Sequence, residues 1–505
     1  MRRCLIALAA SLALLCSASA AAFDVRALHI DMRNEVMTIG ALKSLAEKAA
    51  AGGINTIIME WEASFPYKDN AVICNDEVFT EDEVRDFVSH CSSLGIDVIP
   101  LQNCFGHCEY ILRHERYAAL REAKRDFSQV CPSEEWLAKE TFRSIFKDII
   151  RLHPSKYIHI GADETRLLGV CPKCAAKVEK EGTSKLFCDY VIAMCEVAKS
   201  LGKTPIIWAD ILTKHPEAAG NLPKDLILLD WNYGWSLDRF GSFQRLVDHG
   251  LPMWGASALR SGPDDLHLVQ WMKHFGNLRD YVWNVRQMGF KGIVETSWST
   301  SGEYGYTWAV PIEATDLHPM RQVYPLAGFD ILQQAFFEAA SSDRQFQPEE
   351  FIRRYCASKF GFGTAEQDVM MEYFSLPQTL FRAKEKARLE SEYQATLKVQ
   401  EKLRGLHPKS GRTEFAHLKL MLDIRENYLA FMRCYVDWQD PSFDASRKAS
   451  LAARVKPVLE RARKLQKEFC SLNKDYLKHP ERAFGSESYL RRLQYMYDCL
   501  RGGGD

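Results

Sequence analysis

Eight short apolar runs alternate with amphipathic segments between residues 25 and 328. The runs are VRALHI, INTIIME, IDVIPL, KYIHIG, TPIIW, LILLDW, LPMWG and KGIVET, each bounded by glycine, proline or polar residues. Continuous apolar runs of this kind are typical of parallel strands that are covered by helices. Eight strands separated by helices predict an α/β fold, a (β/α)8 TIM barrel over residues 23–335.

The segments between these runs carry helix-boundary signals. TIGALKSLAEKAAAGG ends in Gly52 and Gly53, and TEDEVRDFVSHCSSLG ends in Gly95, which is the residue type that commonly terminates a helix. Thr80 and Glu83 have the spacing of a capping box at the start of the second segment. A doubly wound open sheet is the alternative fold. The barrel is favoured because no strand is followed by a glycine-rich phosphate loop.

After residue 340 the pattern becomes helical throughout. Stretches such as EEFIRRYCASKFGF and TEFAHLKLMLDIRENYLAFMRCYVDW have apolar residues at helical spacing and many oppositely charged pairs four residues apart. This predicts an all-helical C-terminal domain over residues 340–505, packed on the barrel. Its surface is a candidate for homodimerisation.

The first 20 residues have the pattern of an export signal. Arg2 and Arg3 precede an apolar stretch over residues 4–16, and SASA at residues 17–20 supplies small residues for cleavage. We therefore expect a periplasmic or extracellular protein. Cys16 offers lipoprotein anchoring as an alternative, but Leu15 is larger than the residue usual before a lipidated cysteine. No later stretch is apolar for long enough to predict a membrane span.

Composition narrows the class of ligand. The 505-residue chain has a formal net charge of −1, and it shows no basic stripe that would indicate nucleic-acid binding. Its hydrophobic fraction of 47% and aromatic fraction of 11% are ordinary for a packed enzyme. A small neutral ligand fits this balance better than a polyanion does.

Carboxylates and aromatic residues recur where the predicted strands end. In a barrel of this type the chemistry lies at the C-terminal ends of the strands. Those ends offer His29, Asp31, Glu60, Glu62, His107, Asp163, Glu164, Trp208, Asp210, Trp231, Tyr233, Trp254 and Trp298. Acids with flat aromatic faces are the mixture expected of a sugar-binding pocket. We expect His29 to be a packed core residue, whereas Glu60 and Glu62 either line the site or pair with a barrel arginine.

The stretch KYIHIGADE places Asp163 and Glu164 side by side at the end of a strand. Neighbouring residues there point in different directions, so Glu164 can protonate a leaving oxygen, given a raised pKa, while Asp163 lies behind the reacting carbon. The usual glycosidase pair comes from different strands. Adjacent acids suit a substrate that supplies its own nucleophile, such as a 2-acetamido sugar. The alternative is a purely structural role, in which the first acid caps the N-terminus of a helix and the second lies in its first turn.

HIGADE closely resembles the H-x-G-x-D-E signature of glycoside hydrolase family 20, the β-N-acetylhexosaminidases. Further segments resemble the family in order along the barrel: VRALHIDMR, IIMEWEASFPY, VIPLQNCFGHCEYILRH, PIIWADIL and GIVETSW. PLQNCFGH and MEWEASFPYKD are most similar to the hexosaminidase D branch. The resemblance covers roughly residues 23–330 and departs from many family members in having no small domain before the first strand.

The resemblance implies roles for individual residues. Glu164 would be the general acid/base, and Asp163 would orient and stabilise the acetamido group. The implied substrate-binding residues are Arg26 for the hydroxyls at C3 and C4, His107 and His159 beside the acids, Trp208, Trp231 and Trp298 as walls, Tyr233 for the acetamido oxygen, and Asp210 and Glu303. Asp210 stands where many members have Glu. The Trp-x-Glu motif that usually follows the last strand is absent, and Glu303 would take the place of its glutamate. The preference between gluco and galacto sugars therefore stays open.

The expected activity is that of a retaining exo-β-N-acetylhexosaminidase acting on glycans with a terminal β-linked GlcNAc or GalNAc, with no cofactor required. Two alternatives remain open. One is a glycan-binding protein with little turnover. The other is a glycosidase that uses two carboxylates, such as Glu62 and Glu164, in the ordinary two-acid mechanism.

The cysteines form a separate pattern. Of fifteen cysteines, two lie in the expected signal, which leaves an odd number, thirteen. GVCPKCAAKV places Cys171 and Cys174 shortly after the paired acids, and Cys131 is expected on the same rim, with Cys108 beside His107. Cys131, Cys171 and Cys174 are candidate ligands of a structural zinc ion. A disulfide is the competing interpretation in an exported protein.

Overall fold

The computed structural model describes residues 22–214, 220–237, 239, 247–300, 304–307, 316–319, 323–377, 385–485 and 489–502. The expected signal peptide and Glu303 lie outside these residues, so both stay predictions of the sequence. Among the described residues, no helix combines the length and the apolar character that a membrane crossing requires.

Eight parallel strands close into a barrel, as the sequence predicted. They are β1 (Val25–Asp31), β2 (Thr56–Glu60), β3 (Asp97–Pro100), β4 (Tyr157–His159), β5 (Thr204–Trp208), β6 (Ile227–Trp231), β7 (Met253–Arg260) and β8 (Gly292–Ser297). Seven neighbouring pairs are joined in the order β3-β2-β1-β8-β7-β6-β5-β4. The remaining gap is bridged where Leu101 pairs with His159 and the Gln102 amide donates to the His159 carbonyl at 2.8 Å.

Helices follow the strands and cover the outside of the barrel. They are α1 (Ile39–Ala51), α2 (Glu81–Ser93), α3 (Glu109–Leu112), α4 (Glu135–Ile150), α5 (Pro172–Glu181), α6 (Thr183–Ser200), α7 (Asp210–Lys214), α8 (Trp271–Asn277) and α9 (Trp283–Gln287). A π-helical turn, Leu278–Val282, joins α8 to α9. The capping box predicted at Thr80 and Glu83 is present in both directions at the start of α2.

The outer layer of the barrel extends beyond the predicted boundary at residue 335. Helix α10 (Asp330–Ser341) is continuous across that position. The Arg286 guanidinium donates to the Ala340 carbonyl at 2.8 Å, and the ring of Phe337 lies over Gly52, where a Cβ atom would stand 2.3 Å from the ring. Helix α10 therefore packs between α1 and α9 as a barrel helix.

The described C-terminal region is helical, as predicted. Its helices are α11 (Pro348–Tyr355), α12 (Thr364–Phe374), α13 (Lys386–Arg404), α14 (Arg412–Trp438), α15 (Lys448–Asn473), α16 (Pro480–Gly485) and α17 (Tyr489–Leu500). A two-stranded antiparallel ribbon, β9 (Tyr304–Thr307) and β10 (Asp316–Pro319), precedes them.

Backbone and side-chain contacts tie this helical region to the barrel. The Thr38 amide donates to the Tyr476 carbonyl at 2.9 Å, and the Lys478 amide donates to the Val36 carbonyl at 2.9 Å. Farther along, the Tyr324 hydroxyl and His417 Nδ1 are 2.9 Å apart in a buried hydrogen bond. The helices therefore support the segment that follows β1.

Two apolar layers explain the continuous apolar runs of the strands. The barrel interior contains Ala27, Ile58, Ile99, Leu101, Ile206, Trp208, Ile227, Leu229, Trp254, Ala256 and Val294, while a second, larger layer lies between strands and helices. Strands buried on both faces need apolar residues at every position rather than at alternate ones. A few polar side chains, such as His29 and Glu295, are buried within the strands, and others gather at the strand ends, where the candidate site lies.

Candidate active site

The backbone turns sharply after β4 and lifts two carboxylates to the barrel rim. Gly161 and Ala162 both have left-handed conformations, with φ of 73° and 76°. A Cβ atom on Gly161 would stand 2.2 Å from the Asn103 amide oxygen, so the strand can pass here only with glycine. The turn places Asp163 and Glu164 beside each other above the barrel.

Left-handed backbone at non-glycine residues is concentrated around this site. Among the described residues, Glu62, His107, Ala162 and Glu164 have φ between 46° and 76°. They follow β2, β3 and β4, which are neighbours around the barrel. Such conformations cost roughly 1–3 kcal/mol each and occur mainly where the surrounding structure holds a functional side chain in place.

His107 bridges the two acids. Its Nε2 lies 3.4 Å from Asp163 Oδ2 and 3.3 Å from Glu164 Oε2. The preceding residue, Gly106, packs directly on the backbone of Asp163, because a Cβ atom on Gly106 would stand 2.2 Å from the Asp163 carbonyl oxygen. The loop after β3 therefore sets the position of the imidazole against both carboxylates.

The electrostatics of this triad place the proton on the imidazole. Burial disfavours a charged imidazole, but the adjacent Asp163 and Glu164 carboxylates raise the pKa of His107 well above its usual 6.5. Burial would raise the pKa of Glu164, yet His107 and Arg166 together lower it to about 2. Arg166 Nη2 lies 2.9 Å from Glu164 Oε1. The raised pKa that the sequence argument required of Glu164 is therefore not a property of the free protein.

An arc of aromatic rings faces the acids. The Trp208 and Trp298 ring centroids are 5.7 Å apart, and Trp298 Nε1 donates to the Tyr233 hydroxyl at 3.0 Å. Tyr233 stacks on Trp231 at 5.0 Å, and Trp231 meets Trp235 edge-on at 5.7 Å. These five rings form a continuous wall contributed by the ends of β5, β6 and β8.

The acids and the aromatic wall line a cavity of about 210 Å³ that opens to solvent. Its lining consists of Arg33, His107, Asp163, Glu164, Trp208, Trp231, Tyr233, Trp235, Ser261, Gly262, Trp298 and Thr300. Seven of these residues were predicted from the sequence. The mixture of aromatic walls with a few convergent polar groups suits a small organic ligand.

Arg26 does not lie in this cavity, and the sequence assignment is corrected. Its Nε donates to the Gly53 carbonyl at 2.6 Å and its Nη1 to the Phe23 carbonyl at 2.7 Å. Arg26 is the second residue of β1, so its side chain stays at the end of the barrel opposite to the acids.

Two other predicted residues support the site from behind. His159 is fully buried with its ring 4.6 Å from that of Trp208, and burial lowers its pKa well below the usual value, so it packs as a neutral imidazole. Asp210 Oδ2 accepts from the Glu164 amide at 3.4 Å. Neither lines the cavity, so their contributions are to hold Trp208 and Glu164.

Arg33 is the cationic side chain that the sequence reasoning missed. It forms a two-point ion pair with Asp31, at 3.0 and 2.9 Å, and its guanidinium lies 5.1 Å from the Trp298 ring. Asp31 also accepts from the Ser299 amide at 2.9 Å. The signal was available, because Arg33 follows the C-terminal end of β1 whereas Arg26 precedes most of the strand.

Glu60 and Glu62 lie beneath the cavity and not on its surface. Glu60 contacts His29 Nε2 at 3.0 Å and accepts from the Asn103 amide at 2.9 Å. Burial raises the pKa of Glu62 well above its usual value even though Arg33 opposes the shift. Neither glutamate lines the cavity, and the charge of Arg33 acts on Glu62, so both are buried polar groups below the rim.

The cysteines Cys131, Cys171 and Cys174 come together next to the site. Cys131 Sγ lies 3.6 Å from the sulfur of each of the other two. Glu122, which sequence reasoning did not single out, completes a group of four whose ligand atoms lie within 4.8 Å of one another. Cys108 is not in this group; its thiol donates to the Gly106 carbonyl at 3.4 Å.

Comparison with known proteins finds similarity to a catalytic domain over the part of the chain that contributes most of the cavity lining. The family model described as "Glycosyl hydrolase family 20, catalytic domain" matches residues 28–250. The chain is 27% identical over 329 residues to Hexosaminidase D of Homo sapiens, covering 61% of this chain and 67% of that protein. It is 27% identical over 299 residues to Hexosaminidase D of Bos taurus, covering 54% and 84%. A solved structure, the chitobiase of Flavobacterium johnsoniae, superposes with a TM-score of 0.47 at 16% identity, covering 93% of this chain and 78% of the other.

The protonation state of His107 can be tested by nitrogen-15 histidine NMR. We expect the His107 ring to remain an imidazolium at pH 7.5, while His153 and His417, whose pKa values burial lowers to about 4, are neutral there. Asp163→Asn should lower the pKa of His107, because the Asp163 carboxylate is the strongest of the groups that raise it. A His107→Gln spectrum assigns the signal. Titration of His107 at or below pH 6.5 in the unmodified protein would contradict this electrostatic assignment.

Proposed function

We propose that this chain, which belongs to glycosyl hydrolase family 20 and its hexosaminidase D-like branch, is a retaining exo-β-N-acetylhexosaminidase. It would release terminal β-linked GlcNAc or GalNAc from glycans, with the acetamido group of the substrate as the nucleophile. The observation that carries the proposal is the placement of Asp163 and Glu164 on one turn, facing a wall of aromatic rings across a single cavity.

The two acids have different roles in the first step. Glu164, the more exposed of the pair, donates a proton to the glycosidic oxygen as the C1–O bond breaks. The acetamido carbonyl oxygen of the same sugar forms a bond to C1, which produces an oxazolinium ring. Asp163 accepts a hydrogen bond from the acetamido N–H, and its negative charge stabilises the positive ring. One buried carboxylate close to the developing charge is the kind of electrostatic stabilisation that dominates enzymic rate enhancement.

The second step reverses the roles. Glu164, now a carboxylate, takes a proton from water as the water oxygen attacks C1. The bond between C1 and the oxygen of the oxazolinium ring breaks at the same time. The amide is restored, and the sugar leaves with its original anomeric configuration. No nucleophile from the protein and no second carboxylate across the bond is required, which is why the acids can be chain neighbours.

The free protein must move a proton before it can act as an acid. His107 and Glu164 share one proton across 3.3 Å, and in the free protein that proton resides on His107. A sugar ring in the cavity excludes water from Glu164, and this further desolvation favours the neutral form of its carboxyl group. We infer that substrate binding transfers the proton from His107 to Glu164.

The aromatic wall supports recognition of a sugar ring. Trp208, Trp231 and Trp298 present flat apolar faces to the cavity. The Tyr233 hydroxyl, which accepts a hydrogen bond from Trp298 Nε1, would donate to the acetamido oxygen.

The two alternatives are less well supported. A two-carboxylate mechanism with Glu62 is disfavoured because Glu62 is buried outside the cavity lining and its pKa is raised. A glycan-binding protein without turnover does not need the costly pairing of two acids with an imidazolium. A role for Glu303 in the choice between gluco and galacto substrates rests on sequence alone, as do export and homodimerisation, so all three remain parts of the proposal.

Substitution of each acid separates their roles. Glu164→Gln should lower the rate on a disaccharide by about 10²–10⁴-fold, because the general acid is lost. The loss should be much smaller on an aryl glycoside whose phenolate leaves without protonation. Asp163→Asn should impair both substrates to a similar degree, since ring closure is common to them.

Each variant can serve as a control for the other, with circular dichroism and thermal unfolding showing that the fold is intact. Near-normal activity of Glu164→Gln on the disaccharide would refute the assignment. Equal losses on the two substrates for Glu164→Gln would show that it is not the acid.

Arg33 and Arg26 form a matched pair for testing which arginine binds the sugar. Arg33→Lys should raise KM roughly tenfold, because lysine keeps the charge but loses the two-point geometry that positions the guanidinium in the cavity. Arg26→Lys should leave KM unchanged within error. Steady-state kinetics on one aryl substrate measure both. A larger effect at Arg26 than at Arg33 would contradict the geometry.

A further inference from the structure

A cluster of three thiols and one carboxylate lies beside the candidate active site and takes no part in the proposed reaction. Glu122 and Cys131 come from the long segment between β3 and α4, whereas Cys171 and Cys174 open α5, shortly after the paired acids. Their ligand atoms lie within 4.8 Å of one another. Two loops that are distant in sequence therefore meet at this point.

The spacing of the ligand atoms matches tetrahedral coordination. Two sulfurs at about 2.3 Å from a zinc ion, at the tetrahedral angle, are roughly 3.8 Å apart. Cys131 Sγ lies 3.6 Å from Cys171 Sγ and 3.6 Å from Cys174 Sγ, and Cys174 Sγ lies 3.2 Å from Glu122 Oε2. One disulfide would satisfy only two of the three sulfurs, whereas a metal ion satisfies all of them together with the carboxylate.

Hydrogen bonds from neighbouring groups hold the ligand atoms of the cluster in place. Glu122 is only 3% exposed, and its Oε1 accepts from the Cys171 amide at 2.8 Å, which leaves Oε2 directed at the sulfurs. Cys171 Sγ accepts from the Cys174 amide at 3.3 Å, and the Ser133 hydroxyl lies 3.0 Å from Cys174 Sγ. Hydrogen bonds of this kind orient thiolate and carboxylate ligands. A buried carboxylate next to three sulfur atoms also calls for a cation.

We propose that Glu122, Cys131, Cys171 and Cys174 bind one structural zinc ion. Three soft sulfur ligands and one carboxylate at tetrahedral spacing suit zinc better than magnesium or calcium, which take oxygen ligands. Four protein ligands close the coordination sphere, so the ion has no open position for a substrate or a reactive water. The site is therefore structural.

The cluster is connected to the loops that carry His107 and the paired acids. Between the cluster and the acids, the Leu167 amide donates to the Gln129 side chain at 2.7 Å, and the Cys108 amide donates to the Ser128 carbonyl at 3.0 Å. These contacts connect the segment that carries Glu122 and Cys131 with the loops that carry His107 and Glu164. A zinc ion would fasten the loop after β3 to the loop after β4, and so hold His107 against the acids.

The proposal is tested first by metal content. The full-length protein, purified under reducing conditions and dialysed, should contain about one zinc per chain by mass spectrometry, in line with one four-ligand site. The double variant Cys171→Ser/Cys174→Ser should contain none. Cys470→Ser, which removes a half-buried helical thiol outside the cluster, should keep the ion. Replacement by cobalt should give the thiolate charge-transfer and visible bands of a tetrahedral complex.

A second arm uses the unmodified protein, so that a poorly folding variant does not decide the matter. A chelator should lower its melting temperature, and zinc should restore it, because an ion that binds only the folded state stabilises that state. Glu122→Gln should weaken zinc affinity at least tenfold in a chelator competition. Unchanged affinity would remove Glu122 from the ligand set.

The competing disulfide gives a distinct result. A zinc-free protein whose intact mass is lower by two hydrogen atoms, with Cys131 joined to Cys171 or Cys174 in a non-reducing peptide map, would overturn the proposal. So would a fully reduced protein that takes up neither zinc nor cobalt. None of these measurements depends on glycosidase activity, so the zinc site and the proposed function can fail separately.

Discussion

The contact between one imidazole and two adjacent carboxylates organises the rest of the site. Two partly buried acids that are chain neighbours would repel each other unless a cation stood between them. His107 supplies that cation, 3.4 and 3.3 Å from Asp163 and Glu164. The left-handed backbone at His107, Ala162 and Glu164 is the cost of bringing the three groups together.

The barrel makes that cost tolerable by holding the strand ends rigidly. The short strand β4 is joined to β3 through Leu101 and His159, so the loops that carry His107 and the acids start from neighbouring backbone. Gly106 and Gly161 allow those loops to touch, because a Cβ atom at either position would stand 2.2 Å from an oxygen atom of the opposite loop. The Asp210 carboxylate then holds the Glu164 amide from the next strand. Support from the β3 side would be completed by the proposed zinc site.

The strands and the pairing of the acids could be predicted from the sequence because their signals are local. A continuous apolar run identifies a parallel strand, and the capping box at Thr80 needs only four residues to recognise. Arg26 was misassigned although its signal is also local: an arginine before the apolar part of β1 must lie at the opposite end from one that follows it. Attention to strand direction would have selected Arg33.

Other features depend on contacts that no spacing reveals. Glu122 joins the cysteines only because the segment after β3 folds back toward α5, and nothing in its neighbourhood distinguishes it from a surface acid. The pKa of Glu164 is set by His107 and Arg166, so a sequence argument could name the acid but not its protonation state. The burial of Glu62 beneath the cavity likewise follows from the closure of the barrel.

The central claim is that the substrate's own acetamido group is the nucleophile. The most direct test compares hydrolysis of aryl β-N-acetylglucosaminide, aryl β-N-acetylgalactosaminide and aryl β-glucoside, with and without a thiazoline that mimics the oxazoline. We predict cleavage of the acetamido sugars only, with inhibition by the thiazoline. Efficient cleavage of the plain glucoside, unaffected by the thiazoline, would contradict this account and require a nucleophile from the protein.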